Sequence, residues 1–331
     1  MTASEFPEYR LPGHLMNRSD DVLVIGAGKL EMILRVSDWP NGGGQSNIDI
    51  DEPLETAGGC GMNVATTVSR LGGHSALIAA LGSGRYGQAV WNEMITSGVA
   101  TDYVQRITGS EGSLLMILTR DGGDWVVMQH NDPRVQFRTE HLPPVETFAH
   151  YKVLHVDGFS YMEGDQRSAV EEAVRRAHEA GCIVSVDAAV PTVGRDPAYV
   201  AWLFSQADII LPNEHEACRV TGAGSVTEAI EALRGLGPAL CVLKQGPQGS
   251  WVVTADGVGH VPAFPVAVVD TIAAGDSYAG AMLLGLCQGL PLREAATRGS
   301  AAGALACLGR GSLSHRFTAS DITALMNSAL S

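Results

Sequence analysis

The chain has 331 residues, of which 45% are hydrophobic and 18% charged, enough apolar material for one large core. A net charge of −14 argues against nucleic acid or an anionic membrane surface as partner, but an anionic nucleotide can still be held by a local nest of amides. Six scattered cysteines with no C-x-x-C pair read as reduced thiols of a cytoplasmic protein, and no apolar run approaches the ~18 residues of a membrane span.

Met1 to Asp20 is polar, carries Pro7 and Pro12, and lacks the apolar core of a signal peptide, so it is expected to be a mobile extension ahead of one domain, 21–331. Val22 to Gly26 reads as a buried strand running into Gly26-Ala27-Gly28. A dinucleotide reading of that turn through G-x-G-x-x-G fails at Glu31, where the third glycine would stand, and Met32 to Val36 reads as a second strand instead of a helix. Ser37 to Glu55 turns polar and glycine-rich, with alternating Ile48 and Ile50. Ser113–Thr119 and Trp125–His130 form a hairpin pattern across Asp121-Gly122-Gly123. These short β segments, about 37–55 and 104–131, look like a small sheet beside the main domain.

Between them, Ala57 to Ala65 is a glycine-rich turn opening a helix with Val64, Val68 and Leu71 on one side and Gly72-Gly73 at its end. Gly58 and Gly59 let a ligand approach the backbone, and Asn63 carries both a donor and an acceptor; a plain turn with a helix-starting asparagine is the simpler alternative. From Tyr151 strands and helices alternate: strand Val153–Val156, helix Gln166–Ala180, strand Cys182–Val186, strand Ala207–Leu211, a helix from Glu214, helix Val226–Leu236 and strand Ala239–Leu243. That spacing argues a doubly wound parallel sheet with ligands at the carboxyl ends of its strands, where Asp157, Asp187, Asn213 and Asp270 fall. Asn213 and Glu216 share one side of a helix start, while His155 and His215 read as structural.

The stretch Val268 to Gly280 then joins an apolar run, a small-residue turn and a helix marked by Tyr278, Met282 and Leu286, with Gly289 and Pro291 after it. Ala273, Ala274 and Gly275 stand where helix amides lie unpaired, a site for an anion. Asp276 at the same place is either a cap or a base taking a proton from a hydroxyl. Leu292 to Leu308, rich in Ala and Gly, is a helix ended by Arg310-Gly311.

Asp270-Thr-Ile-Ala-Ala-Gly-Asp276 resembles D-T-x-G-A-G-D, the C-terminal signature of the ribokinase, or PfkB, family of sugar and nucleoside kinases. Gly58 to Ala65 resembles its N-terminal signature, G-G-x-x-x-N-x-A. The resemblance covers roughly 21–325 and implies a ribokinase-like α/β fold: a doubly wound, mostly parallel sheet flanked by helices, with a small β-sheet lid. It implies ATP-dependent phosphorylation of a primary hydroxyl of a sugar or nucleoside, with Asp276 as base and the amides of Ala273, Ala274 and Gly275 as anion hole. Glu31, Gly58, Gly59 and Asn63 would bind the acceptor, and Asn213, Lys244, Gly246, Gly249 and Thr271 the nucleotide. Glu216 would act on Mg²⁺ and Asp270 on a monovalent cation, K⁺. A homodimer through the lid is the implied assembly.

Three positions depart from the pattern. Glu31 stands where aspartate is usual, and Arg85 or Tyr86 stands where the family's third glycine-rich element is often acidic. Ala273 replaces the first glycine of G-A-G-D. At positive φ an alanine there would cost ~1 kcal/mol and could distort the anion hole; the expectation is instead that the helix begins one residue earlier and leaves it unstrained. Glu31 and Ala273 also motivate the alternative of a catalytically weak sugar or nucleoside sensor.

Overall fold

In the computed structural model the described residues are 6–39, 47–120, 125–161 and 164–328. The glycine-rich part of the first lid segment, 41–44, and the turn expected at 121–123 lie outside them. The first part of the chain runs β1 (Asp20–Ile25), β2 (Lys29–Arg35), β3 (Leu54–Gly58), α1 (Cys60–Arg70), β4 (Ser75–Gly82), α2 (Arg85–Ser97) and β5 (Val104–Ile107). The middle runs β6 (Leu114–Thr119), β7 (Trp125–His130), α3 (Val145–Phe148), β8 (Tyr151–Val156), α4 (Gly164–Glu179), β9 (Ile183–Val186), α5 (Val190–Arg195) and α6 (Pro197–Ser205). The last part runs β10 (Ile209–Ile210), α7 (Glu214–Thr221), α8 (Val226–Gly235), β11 (Leu240–Lys244), β12 (Ser250–Val253), β13 (Val258–Val261), α9 (Ala274–Cys287), α10 (Leu292–Ala306) and α11 (Ala319–Ser328).

Two sheets result. The larger has nine strands in the order β13-β12-β11-β10-β9-β8-β1-β4-β5, parallel from β11 through β5, with β12 and β13 added antiparallel. Its central strands are mostly apolar because both faces are covered, and alternate side chains go to opposite layers. Val22 and Val24 join Met62, Val68, Met282 and Leu286 of α1 and α9, while Leu23 and Ile25 join Ala173, Leu203 and Leu233 of α4, α6 and α8. Helix α9 is buried from Ser277 to Cys287, so it is the central helix of its layer and not an amphipathic surface helix.

The smaller sheet has the order β3-β2-β6-β7, with β2 and β6 parallel and the other two pairs antiparallel. Its members differ from the expected lid segments. Strand β2 belongs to it although it precedes residue 37, and Val104–Ile107 pairs with β4 in the large sheet. Ile50 makes only an isolated bridge to Val36. The run Val266 to Val269 forms no strand; Val268 and Val269 are exposed, and Val269 is tied by its N–H to the Cys307 carbonyl at 2.8 Å.

The expectation of a mobile extension over 1–20 is corrected for residues 6–19. Leu11 and Leu15 are buried in the main core, and Phe6 and Tyr9 pack against it. Arg18 extends its guanidinium to the carbonyls of Tyr151 and Ala180, each at 2.5 Å. Polar composition hid this because few apolar anchors are needed when one arginine ties several carbonyl ends. Leu15→Ala should therefore destabilise the protein by ~2–5 kcal/mol; a loss under ~0.5 kcal/mol in denaturant unfolding would show that the segment does not dock.

Candidate active site

The carboxyl ends of adjacent parallel strands bring the polar residues of the sequence to one edge of the sheet. Asp157 follows β8, Asp187 follows β9, Asn213 follows β10 and Lys244 ends β11. Asp157 ties the nearby turns together. One of its oxygens accepts the N–H groups of Ala27 and Gly61, both at 2.8 Å, and the other accepts those of Phe159 and Ser160. Gly26 and Gly61 have to be glycine for this: a Cβ on either would lie 2.6 Å from the other's Cα.

Asn213 caps α7, and with Glu216 it forms a reciprocal box. Its side-chain oxygen accepts the Glu216 N–H and the Glu216 carboxylate accepts the Asn213 N–H, both at 2.9 Å. The box buries Glu216. Lys244, largely buried, donates to Asp187 at 2.7 Å. Burial alone would lower the Lys244 pKa, but the fields of Asp187 and Glu216 raise it above the ordinary lysine value. Burial pushes the carboxyls of Glu216 and Asp187 up, and the Lys244 ammonium opposes this in both.

Asp276 lies in the first turn of α9, enclosed by protein but still reached by solvent. Enclosure pushes its carboxyl up to about 7, opposed by a hydrogen bond from Asn63 at 2.7 Å and reinforced by the field of Asp187. Among the described residues the N–H groups of Ala273, Gly275 and Asp276 donate to no protein group, and that of Ala274 makes a 3.3 Å bond to the Thr271 carbonyl. A Cβ on Gly275 would lie 3.4 Å from the Lys244 ammonium, so amides and ammonium border one small polar recess. These are the parts of an anion site, with a proton acceptor beside it.

Ala273 differs from expectation. Helix α9 begins at Ala274, and Ala273 is its cap in the left-handed region, φ 60° and ψ 8°, the one non-glycine residue at positive φ among the described residues. A left-handed residue followed by a right-handed one turns successive N–H groups to the same side, the nest that binds anions. The alanine therefore holds the conformation suited to a glycine and bears its strain as lost stability.

Glu31 is not a solvated edge carboxylate: it is 2% exposed and accepts the Ser312 hydroxyl at 2.7 Å, the Ser312 N–H at 3.2 Å and the Gly59 N–H at 3.4 Å. Burial pushes it up to about 7 against those bonds. The longer glutamate arm thus ties lid strand β2 to the segment after α10 and to the Gly58-Gly59 turn. Asp270, expected to act on a monovalent cation, is engaged too: it accepts the N–H groups of Ile272 at 2.7 Å and Gly311 at 2.9 Å, which ties the start of α9 to the segment after α10. Thr271 and Gly246 are exposed, and Gly249 is buried in the turn that continues from Lys244.

Sequence reasoning placed Asp157 and Asp187 after strands but gave them no role; a carboxylate directly after a buried strand was the available signal. It gave no role to Lys29, which reaches Asn131 at 2.9 Å, or to Cys60, whose thiol is pushed well up by burial and by Asp276. Their side chains matter through long-range neighbours that no local pattern encodes. His155 is buried beside Ser185 and pushed down to about 3, as a structural histidine would be.

Residues 19–316 match the family profile described as pfkB family carbohydrate kinase. The chain is 28% identical over 272 residues to an aminoimidazole riboside kinase of Salmonella typhimurium, covering 78% of this chain and 84% of that protein. It is 30% identical over 238 residues to a fructokinase-1 of Zea mays, covering 70% and 73%. The structure of a fructokinase with bound ATP from Xylella fastidiosa superposes with a TM-score of 0.79 at 24% identity, covering 94% of this chain and 99% of that one.

Relief of the strained alanine gives a direct check on the cap. Ala273→Gly should stabilise the protein by about 0.5–1 kcal/mol, the left-handed penalty less the added chain entropy. A destabilised variant would contradict the assigned cap conformation.

Proposed function

The chain belongs to the pfkB family of carbohydrate kinases, and we propose that it transfers a phosphoryl group from ATP to a primary hydroxyl of a sugar or nucleoside, with Asp276 as general base. The observation that carries this reading is the Asp276 carboxyl, pushed up to about 7, beside the unpaired amides that open α9. A base poised near neutrality takes the hydroxyl proton as the oxygen attacks. The nest at Ala273, Ala274 and Gly275, in which only the Ala274 N–H has a protein partner, would meet the charge spreading over the transferring phosphoryl oxygens, and the Lys244 ammonium borders the same recess.

No group of three or more His, Cys, Asp or Glu able to hold a metal occurs among the described residues. That suits Mg²⁺, which keeps its waters and is carried largely by nucleotide phosphates. Glu216 and Asn213 would orient those waters, and the ion would supply charge neutralisation when bound. The carboxyls of buried Asp187 and Glu216 and of partly enclosed Asp276 around a single ammonium leave negative charge that a divalent cation can offset. Lys244, Gly246, Gly249 and Thr271 are read as nucleotide contacts, and the Asp270–Gly311 junction as the place for K⁺.

Strand β7 leaves Trp125, Val126, Val127 and Met128 exposed, which supports the reading of a homodimer through the lid sheet. No helix among the described residues is long and apolar enough to cross a membrane, and the six unpaired cysteines suit the cytoplasm. The left-handed Ala273 favours a working kinase over a weak sensor, because the nest keeps its form.

ATP consumption across fructose, ribose, adenosine and aminoimidazole riboside tests the reading; no acceptor-dependent turnover with any would contradict it. On the best acceptor Asp276→Asn should lower kcat by ~10²–10⁴-fold with nucleotide binding kept, and more than half of wild-type turnover would remove Asp276 from the mechanism. Ala273→Gly should change kcat by less than ~3-fold, under ~0.7 kcal/mol. A hundredfold gain would mean that alanine turns an amide away.

A further inference from the structure

Lysine is rare in this chain, three residues against nineteen arginines, and all three lie on strands. Lys152 on β8 donates to Asp21 and Lys244 on β11 to Asp187, each at 2.7 Å, so two of the three are seated on carboxylates. Lys29, the first residue of β2, is not. Among the described residues its ammonium reaches only neutral oxygens, the side-chain carbonyls of Asn131 at 2.9 Å and Gln129 at 3.4 Å. An ammonium has three N–H donors, so two amide oxygens leave one of them open.

Carboxylates lie near Lys29, but they already have donors of their own. Asp157 accepts the N–H groups of Ala27, Gly61, Phe159 and Ser160, and Glu31 holds Ser312 and Gly59. Both act on Lys29 through their fields, as does Cys60, and partial burial outweighs them and lowers the lysine pKa. A lysine serving only as counter-charge would sit on one of these carboxylates, as the other two lysines of the chain do. A side chain serving only to tie β2 to β7 would need no charge, since amide oxygens also accept from a neutral donor.

Strand geometry sets the direction of that charge. Lys29 and Glu31 are two apart on β2 and share one face of the lid sheet. Glu31 is paired with Thr56 and Leu115, and Leu115 with Gln129, so these side chains lie on the same face. It is the face turned to the main domain, because Glu31 meets the Gly59 N–H and Ser312 there. Cys60, which opens α1 next to Gly59, feels Asp276 and acts on Lys29. The recess thus has Asp276 on its core side and the Lys29 ammonium on its lid side.

We propose that Lys29 is a specificity-determining residue for the acceptor: the molecule that presents its primary hydroxyl to Asp276 carries an anionic substituent, a carboxylate or a phosphate, which the Lys29 ammonium receives. Gln129 on β7 and Asn131 just past it hold the ammonium in place for that group. The anionic group takes no part in bond making. Neutral acceptors still fit, but they leave the ammonium without a counter-ion and bind more weakly. The acceptor half of this rests on the kinase reading; the anion site does not.

The test compares acceptors in matched pairs, each with a free primary hydroxyl: gluconate with glucitol, ribonate with ribitol, and fructose 6-phosphate with fructose. In the wild type at least one anionic member should exceed its neutral partner by ~10–100-fold in kcat/KM, chiefly through KM, the scale of a hydrogen bond to a charged group. The pair that responds tells a carboxylate acceptor from a phosphorylated one. Lys29→Met should bring that ratio to within ~3-fold of unity, and Lys29→Arg, which keeps the charge, should retain part of it. Should Lys29→Met fail to fold, Lys29→Gln removes the charge, keeps an N–H donor and carries the same expectation. A wild type that prefers no anionic member, or a preference that the neutral variants leave unchanged, would overturn the inference.

Calorimetric binding without ATP separates the two readings. Gluconate, ribonate or fructose 6-phosphate bound by the wild type and lost in Lys29→Met, with ATP consumed on no acceptor, would defeat the kinase reading and leave the anion site supported.

Discussion

One ammonium among several buried carboxyls is the constraint on which the site depends. Lys244 feels Asp187, Glu216 and Asp276 together, and donates directly to Asp187. A lone carboxylate so enclosed would take a proton, and several so close cannot all ionise at neutral pH. The protein meets this with hydrogen bonds instead of further cations. Asn213 and Glu216 cap one another, and Asn63 supports Asp276. What remains is a region of excess negative charge next to a nest of amides. A nucleotide with its metal ion supplies both signs that such a place lacks.

The sheet explains why these groups meet. Adjacent parallel strands end at one edge, so residues separated by scores of positions become neighbours. The Asp157 carboxylate then fastens the turns after β1, β3 and β8 in one junction. Glu31 makes a comparable junction between the lid and the segment after α10. Helix α9 completes the arrangement from the core side, because its buried body leaves only its first turn free to face the recess. In the proposed transfer, rigidity of that helix would keep the amides directed without reorganisation.

Much of this was legible in the sequence, and for physical reasons. Apolar runs buried on two faces and helices with one apolar stripe are local signals, so β8, β9, β11, α4 and α8 came within a residue or two of their ends. Asp276, Asn63, Asn213, Glu216 and Lys244 were legible as short motifs at strand and helix junctions. Glu31 was legible as a departure but not as a tie, because its partner Ser312 lies 281 positions away. Docking of residues 6–19 was hidden for the same reason, since Arg18 finds its carbonyl partners more than 130 residues downstream. Ala273 was misjudged because the backbone torsion at a helix start follows from packing, not from the residue type alone.

In the proposed reaction Asp276 acts as a base whose proton affinity is set by its enclosure. Enclosure raises that carboxyl to about 7, so its ionised, proton-accepting fraction falls as the pH drops through that value. The most direct measurement is kcat/KM for the best acceptor against pH, which reports groups of the free enzyme. A limb falling about tenfold per pH unit below an apparent pKa near 7, and removed by Asp276→Asn, is the predicted result. A profile flat from pH 8 down to about 5, where an ordinary carboxylate would still be ionised, would contradict it.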